Sequence, residues 1–330
     1  MAAPPGKVRL AAVRSMPSAT PGRTCPSSYR YGAAALASQP SLQADTLWVA
    51  GGVYGNPLAL EHLIELYEAE RGTKALVFNG DFHWFDIAPA TFSQVDSLVA
   101  RYLATRGNVE TELALPEAGA GCGCGYPEWV GEAEVERSNR IIERLGETAS
   151  AFPASLARLA ALPMHLVAEV GGERVGVVHG DAESLAGWGF AQEALSSTSG
   201  LAAARASFDA ANVAVFASSH TCLPVLQAFG EGRALINNGA AGMPNFRGTT
   251  FGLASRISTF TSKRALYRVR LANIVLEAVP LEYDADAWQR LFLAQWPSGS
   301  EAHASYFARI TNGPRYEITQ ALRSETTVAA

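Results

Sequence analysis

The sequence predicts an α/β protein built as a two-sheet β-sandwich flanked by helices, and three observations carry that prediction. Strand-like and helix-like segments alternate between residues 46 and 103, the rhythm of a layered α/β fold. A strand-rich run from 164 to 280 then supplies a second sheet to pack on the first. Finally, several apolar strands end in clusters of Gly, Asp, Asn or His, which gathers polar chemistry at sheet ends.

Residues 46–52 read as a strand and 57–71 as a helix. Pro57 sits in the first turn, where its missing N–H costs nothing, and Leu60, Leu63, Ile64 and Tyr67 recur at helical spacing. The next strand covers 74–79 and the next helix 91–103, with Val95, Leu98, Val99 and Tyr102 on one face. An insertion over about 111–162 follows: a glycine-dense loop, Gly119 to Gly125, carrying Cys122 and Cys124, then helices at about 130–148 and 153–161. Residues 164–170 and 173–178 form a hairpin, because Gly171-Gly172 supplies positive φ at both turn positions. Further strands are expected over 213–217, 223–229, 233–237, 251–258 and 273–280. Helices over 284–296 and 301–311 close the chain, and their aromatics Trp288, Phe292, Trp296, Tyr306 and Phe307 read as packing residues. The expected organisation is a basic, Pro-rich arm over 1–44, one α/β domain over 45–282 with its insertion, and a helical tail over 283–330 packed on it.

With 48% hydrophobic and 17% charged residues in 330, the chain can build a large core. A net charge of -5 offers no electrostatic footprint for nucleic acid. No window holds the roughly eighteen uninterrupted apolar residues that a bilayer span needs. Nothing before Asp45 is acidic while Lys7, Arg9, Arg14, Arg23 and Arg30 are basic, yet no apolar export region accompanies them. The expectation is a cytoplasmic protein whose four cysteines are reduced thiols, Cys25 among them as a packing residue. No nucleic-acid or membrane partner is expected, and the oligomeric state is not encoded in any recognisable pattern.

The stretch Leu76-Val77-Phe78-Asn79-Gly80-Asp81 is the most informative, since an apolar run ending in Gly-Asp delivers a carboxylate to the edge of a sheet. Four elements of the same kind accompany it: Gly55-Asn56, Arg106-Gly107-Asn108, Val177-Val178-His179-Gly180-Asp181, and Val215 to Cys222. In order and spacing these resemble the calcineurin-like metallophosphoesterase superfamily, nearest in pattern to its small bacterial phosphodiesterases. Gly52-Val53-Tyr54-Gly55-Asn56 stands at the first block of that family, Gly80-Asp81 at the second and Gly107-Asn108-Val109-Glu110 at the third. His179-Gly180-Asp181 stands at the fourth, Ser219-His220-Thr221-Cys222 at the fifth, and Leu235 to Ala240 closes the series. The resemblance covers about residues 46–282 and implies a four-layer αββα fold with a metal-dependent phosphoesterase site at its strand ends.

The resemblance implies a ligand set for one metal, Asp81, Asn108, His179 and His220, a mixture of carboxylate, amide and imidazole that suits Mn²⁺, Fe²⁺ or Zn²⁺. The other metal position departs from the family: Gly52, Tyr54 and Cys222 stand where its remaining ligands would be. Cys222 could add a thiolate, which favours zinc or iron, or be a packing thiol. The expected cofactor is therefore one divalent transition metal. Val109 stands where the family has a proton-donating His and cannot transfer a proton. His83, Glu110 and Asp181, beside these motifs, are the candidate catalytic acid–base groups, with Asp86 a further carboxylate in the same stretch. Three functions stay open: a divergent phosphoesterase acting on a small phosphorylated molecule, a non-catalytic ligand- or partner-binding module, and a redirected enzyme using Cys222 with the Cys122 and Cys124 loop.

Overall fold

Alternation along the strand Thr46–Ala50 decides how the molecule layers. Leu47 and Val49 join an apolar core shared by two sheets, while Trp48 and Ala50 join a second core shared with helices. The computed structural model describes residues 20–324. In chain order it runs β1 (Leu42–Ala44), β2 (Thr46–Ala50), α1 (Pro57–Glu68), β3 (Lys74–Asn79), α2 (Pro89–Val99), β4 (Leu103–Thr105) and α3 (Asn108–Ala114). The insertion helices α4 (Glu132–Ala149) and α5 (Pro153–Ala161) precede the hairpin β5 (His165–Val170) and β6 (Glu173–Val178). Next come α6 (Thr198–Ala211), β7 (Val215–Ser218), β8 (Val225–Phe229), β9 (Arg233–Asn237), β10 (Gly252–Ser258), β11 (Tyr267–Leu271) and β12 (Ile274–Leu281). The chain ends with α7 (Ala285–Gln295), α8 (Glu301–Asn312), α9 (Ile318–Ala321) and β13 (Leu322–Ser324).

One sheet has the strand order β1-β5-β6-β7-β9-β8-β13 and the other β11-β12-β10-β2-β3-β4. Val175, Val177, Val215 and Ile236 of the first meet Leu47, Val49, Val77 and Ile257 of the second to form the central core. Outside the six-stranded sheet, Trp48 and Phe78 pack on Leu60, Val95, Ile141, Trp288 and Phe292 from four helices. Outside the seven-stranded sheet, Phe216 and Leu235 pack on Phe208 of α6. The layers are therefore helix, sheet, sheet, helix, as the sequence implied. Among the described residues no helix is long and apolar enough to cross a membrane.

The hairpin turn is as read: Gly171 and Gly172 have φ of 58° and 84°. Elsewhere the boundaries shift. The helix expected over 91–103 ends at Val99, and Leu103–Thr105 instead pairs in parallel with β3. A three-residue strand is too short for period-two patterning to register. Of the arm expected over 1–44, residues 1–19 lie outside the described residues. From Thr20 onward the chain lies on the domain, with Tyr29 and Leu36 buried and β1 pairing with β5 through Leu42 and Ala168.

The topology positions the site. β2, β3 and β4 run parallel in one sheet, and β6, β7 and β9 in the other, so each set delivers its C-terminal ends to one edge. Asn79, last in β3, ties the two edges together by donating from Nδ2 to the Val178 carbonyl of β6 at 2.7 Å.

Candidate metal centre

The turn after β3 demands glycine, because Gly80 has φ +73° and a Cβ there would come within 2.5 Å of the Gly107 nitrogen. Gly107, after β4, is equally constrained, since its Cβ would overlap Asp81 Oδ1. Three non-glycine residues around the site also hold positive φ: Tyr54 at 53°, Asp81 at 53° and Cys222 at 61°. Such backbone persists where surrounding contacts over-determine it, and it concentrates at functional sites.

Asp81, His179 and His220 are all buried, and their ligand atoms lie within 4.8 Å of one another. The Val109 N–H donates to Asp81 Oδ1 at 3.2 Å, and the side-chain donors of the set turn outward. The Asn79 carbonyl can only accept, so the 2.7 Å contact places a proton on His179 Nδ1, and in the neutral ring Nε2 carries the lone pair. By the same reasoning the Cys124 carbonyl, 2.9 Å from His220 Nε2, leaves His220 Nδ1 with its lone pair facing inward. Asn108 donates from Nδ2 to the Cys122 carbonyl at 2.9 Å, which turns Oδ1 inward. The result surrounds His179 Nε2 with three acceptors: Asp81 Oδ2 at 3.2 Å, His220 Nδ1 at 3.2 Å and Asn108 Oδ1 at 3.3 Å.

A single proton on His179 could satisfy one of these contacts, whereas one cation satisfies all four lone pairs. The donor set therefore fits a divalent metal, with each imidazole oriented from behind by a carbonyl, as metal-bound histidines commonly are. Burial opposes the charge of Asp81, but the facing His179 and His220 rings hold its carboxyl below the ordinary range. Burial and the neighbouring His179 drive His220 down to about 4, which keeps it neutral and able to coordinate.

The cysteine positions divide. The Cys122 and Cys124 loop reaches the site through its carbonyls, which orient Asn108 and His220, and through Cys124 Sγ, which accepts from Asn108 Nδ2 at 3.5 Å. Cys222 is not among the converging ligand atoms; its Sγ lies 2.8 Å from the Tyr54 hydroxyl and 3.3 Å from the His220 carbonyl. Burial pushes its thiol above the usual value, partly offset by Arg309 and Tyr54, so it sits beside the metal position as a neutral group.

The candidate acid–base groups have other partners. Glu110 accepts from the backbone N–H groups of Asp81 at 2.7 Å, Phe82 at 3.0 Å and Gly107 at 2.8 Å, pinning two ligand-bearing turns together. His83 is fully buried, bonded to Asp86 at 2.6 Å and stacked on Phe92 at 4.1 Å. Burial opposes its protonation, but Asp86 and Asp96 raise it to about 9. Asp86 also accepts from the Trp84 N–H at 2.9 Å, and Asp181 accepts from the N–H groups of Glu183, Ser184 and Gly189. None of these four carboxylates and imidazoles lines the cavity beside the metal group. That cavity, of about 40 Å³, is walled instead by Tyr54, Trp84, Val109, Tyr126, Trp188 and Tyr306, with Asp81, Asn108 and His220 at its base.

Trp84, Tyr126 and Trp188 were not expected there, and no local signal marks them. Their apolar character fits a core as well as a cavity wall. Only the tertiary structure brings the insertion (Tyr126), the loop after β6 (Trp188) and α8 (Tyr306) over the same strand ends.

No protein-family model matches the chain, and no curated protein sequence matches it. Among solved structures, a hypothetical protein from Pyrococcus horikoshii OT3 aligns with a TM-score of 0.56 at 16% identity, covering 83% of this chain and 100% of that one. A metallophosphoesterase from Sphaerobacter thermophilus aligns with a TM-score of 0.52 at 17% identity, covering 82% of this chain and 100% of that one. The chain shares the fold of that metallophosphoesterase. Within this metallophosphoesterase fold the buried Asp81, His179 and His220 group lies at the strand ends where the sequence resemblance implied a metal. At Gly55-Asn56 the role seen is a helix cap: Asn56 accepts from the N–H groups of Leu58 and Ala59 at 3.1 and 3.2 Å.

Proposed function

We propose that this protein is a metal-dependent phosphoesterase that works with one divalent ion, Mn²⁺, Fe²⁺ or Zn²⁺, on a small phosphorylated molecule. The observation that carries the proposal is the convergence of four ligand atoms at Asp81, Asn108, His179 and His220, with the side-chain donors of Asn108 Nδ2, His179 Nδ1 and His220 Nε2 directed away. When bound, such an ion supplies Lewis acidity toward a phosphoryl oxygen and toward water.

The chain's own residues do the rest. Asp81 contributes the one negative charge, and Asn79 and Cys124 fix the rings of His179 and His220 through their carbonyls. With Val109 in place of an imidazole, the phenols on the cavity wall are the remaining proton donors. Burial raises the hydroxyls of Tyr54 and Tyr306 well above their ordinary pKa, so both keep their protons at neutral pH. Tyr54 is the better placed of the two by chemistry, since among the described residues its hydroxyl has only the Cys222 thiol as partner and can turn to a phosphoryl or leaving-group oxygen. Trp84 and Trp188 narrow the opening and limit water around the reacting ester.

The test is hydrolysis of bis(p-nitrophenyl) phosphate by protein loaded with Mn²⁺. Turnover should exceed the metal-only blank, vanish with chelator and vanish in His179→Ala. Tyr54→Phe should retain the metal and lose rate, more for poor leaving groups than for activated ones, because general-acid assistance contributes on the order of 10²-fold or more where the leaving group needs it. A second reading, a metal-stabilised binding module without turnover, is favoured by the cavity walls, which include neither Lys nor Arg to steady a phosphoryl group. Protein that binds metal and phosphorylated ligand yet never exceeds the blank supports that reading.

A further inference from the structure

Trp48, Arg256, Glu277 and Arg268 stand opposite one another across β2, β10, β12 and β11, one residue per strand and all on one face of the six-stranded sheet. A groove of about 530 Å³ opens over the Trp48 and Arg256 end of that row. It is walled on one side by the end of α1 and the residues after it, with Glu70 and Arg71, and on the other by the loop after β10, with Phe260, Lys263 and Arg264. The charges at its base cancel: Arg256 meets Glu70 and Glu277, each at 2.6 Å, and Arg268 meets Glu277 at 3.3 Å. Arg71, Lys263 and Arg264 are left over. All three are exposed, and none has an ion pair or a side-chain hydrogen bond among the described residues. In a chain of net charge -5, three unanswered cations around one groove make a local positive field. Beneath them the indole N–H of Trp48 is buried with no acceptor among the described residues. Phe260, 41% exposed, adds an apolar face, with the Arg256 guanidinium 4.9 Å from its ring centroid.

We propose that this groove is a second ligand site, distinct from the metal centre, for a small organic polyanion that carries two or three carboxylate or phosphoryl groups. Its volume falls within the roughly 300–1,000 Å³ of small-molecule sites. Two guanidinium groups and one ammonium offer charge-assisted hydrogen bonds to such groups, while Phe260 and Leu66 cover an organic frame that an inorganic ion lacks. The groove also lies at the opposite end of the sheet from the metal ligands. The loop after β10 meets the start of β2, where the Thr259 N–H donates to the Asp45 carbonyl at 3.0 Å, whereas the ligands follow the C-terminal ends of the parallel strands. The 12-residue helix α1 spans that separation, roughly 18 Å of helix from its Asn56 cap to the groove wall. The proposal does not depend on the phosphoesterase reading, because no metal ligand and no wall of the metal cavity takes part in it.

The test is calorimetric binding of two probes, tricarballylate and fructose 1,6-bisphosphate, to the full-length, metal-loaded protein, with no requirement for turnover. At least one probe should bind, and the double substitution Lys263→Ala with Arg264→Ala should weaken it by about tenfold or more, the scale of losing one charge-assisted hydrogen bond. These are exposed positions, so the melting temperature without ligand should stay at the wild-type value. Lys263→Arg with Arg264→Lys, which keeps both charges, should retain most of the affinity. His179→Ala, which removes the metal, should leave this binding intact and so separates it from any binding of the same probe at the metal. Preference for tricarballylate identifies the ligand as a polycarboxylic acid, and preference for the bisphosphate identifies it as a phosphate ester; either supports the site. Binding of neither probe, equal affinity in the wild type and the double alanine variant, or loss in His179→Ala alone would overturn it.

Discussion

Two of the buried charge clusters among the described residues differ in whether their charges answer one another. At Arg256 in β10, the guanidinium meets Glu277 at 2.6 Å and Glu70 at 2.6 Å, and Glu277 in turn meets Arg268 at 3.3 Å and the Ser262 N–H at 2.9 Å. Every donor there has an acceptor, and the cluster is closed. At Asp81, His179, His220 and Asn108, ligand atoms face one another while the donors of both imidazoles and of Asn108 point outward. Burial of polar groups is common to both. The mismatch belongs to one, and an unanswered set of acceptors is what a cation site requires.

The largest effect should come from breaking the open cluster. His179→Ala or Asp81→Ala should lose most of the bound metal, read as metal content after purification without chelator, with little loss of fold because helices and sheets pack elsewhere. Finding two equivalent metals per chain in the wild type would remove the distinction drawn between the Asp81 group and the Tyr54 and Cys222 position.

Breaking the closed cluster should do the converse. Arg256→Ala leaves Glu277 buried with half its compensation gone, which should lower unfolding stability by about 3–5 kcal/mol in a denaturant titration while metal content stays at the wild-type value. Loss of metal in this variant would show that the two clusters are not independent.

A smaller, pH-dependent effect should appear at Asp96. Burial resists its charge, but His83, Arg158 and Ser155 hold its carboxyl well below the usual range. A carboxyl depressed on folding contributes stability above its unfolded pKa of about 3.9, and that contribution is lost as pH falls below that value. Wild type should therefore lose more stability than Asp96→Asn between pH 5 and pH 3. Parallel curves for the two proteins would show that Asp96 is not the group responsible.

The smallest effect should be at Cys222. Because its thiol is paired with Tyr54 and lies outside the converging ligands, Cys222→Ser should bind the same metals in the same amount as wild type. A shift away from zinc would restore the thiolate to the ligand set.

Much of the fold was legible in the sequence because its signals are local. Pro57 at a helix start, Gly171-Gly172 at a tight turn, and the apolar runs before Asp81, His179 and His220 each depend on residues a few positions apart. The strands that escaped notice were short or at edges, such as Leu42–Ala44 and Leu103–Thr105, where pairing with a distant partner decides the conformation.

The candidate ligands were legible through their motifs, but the work of their neighbours was not. Glu110 and His83 read as loose polar groups beside a motif, and their burial assigns them to holding turns and to a charge pair behind the site. Cys124 read as a thiol of interest, and it orients His220 through its carbonyl as well as contacting Asn108 through its sulfur. By itself the sequence determined the layered α/β architecture, the order of the strand-end motifs and the residue types able to hold a metal, since periodicity and turn chemistry are properties of adjacent residues. Only the tertiary structure decided which lone pairs face one another, which acids are spent on backbone amides, and that Tyr126, Trp188 and Tyr306 close over the same cavity. Those are distances between side chains far apart in the chain, and packing alone sets them.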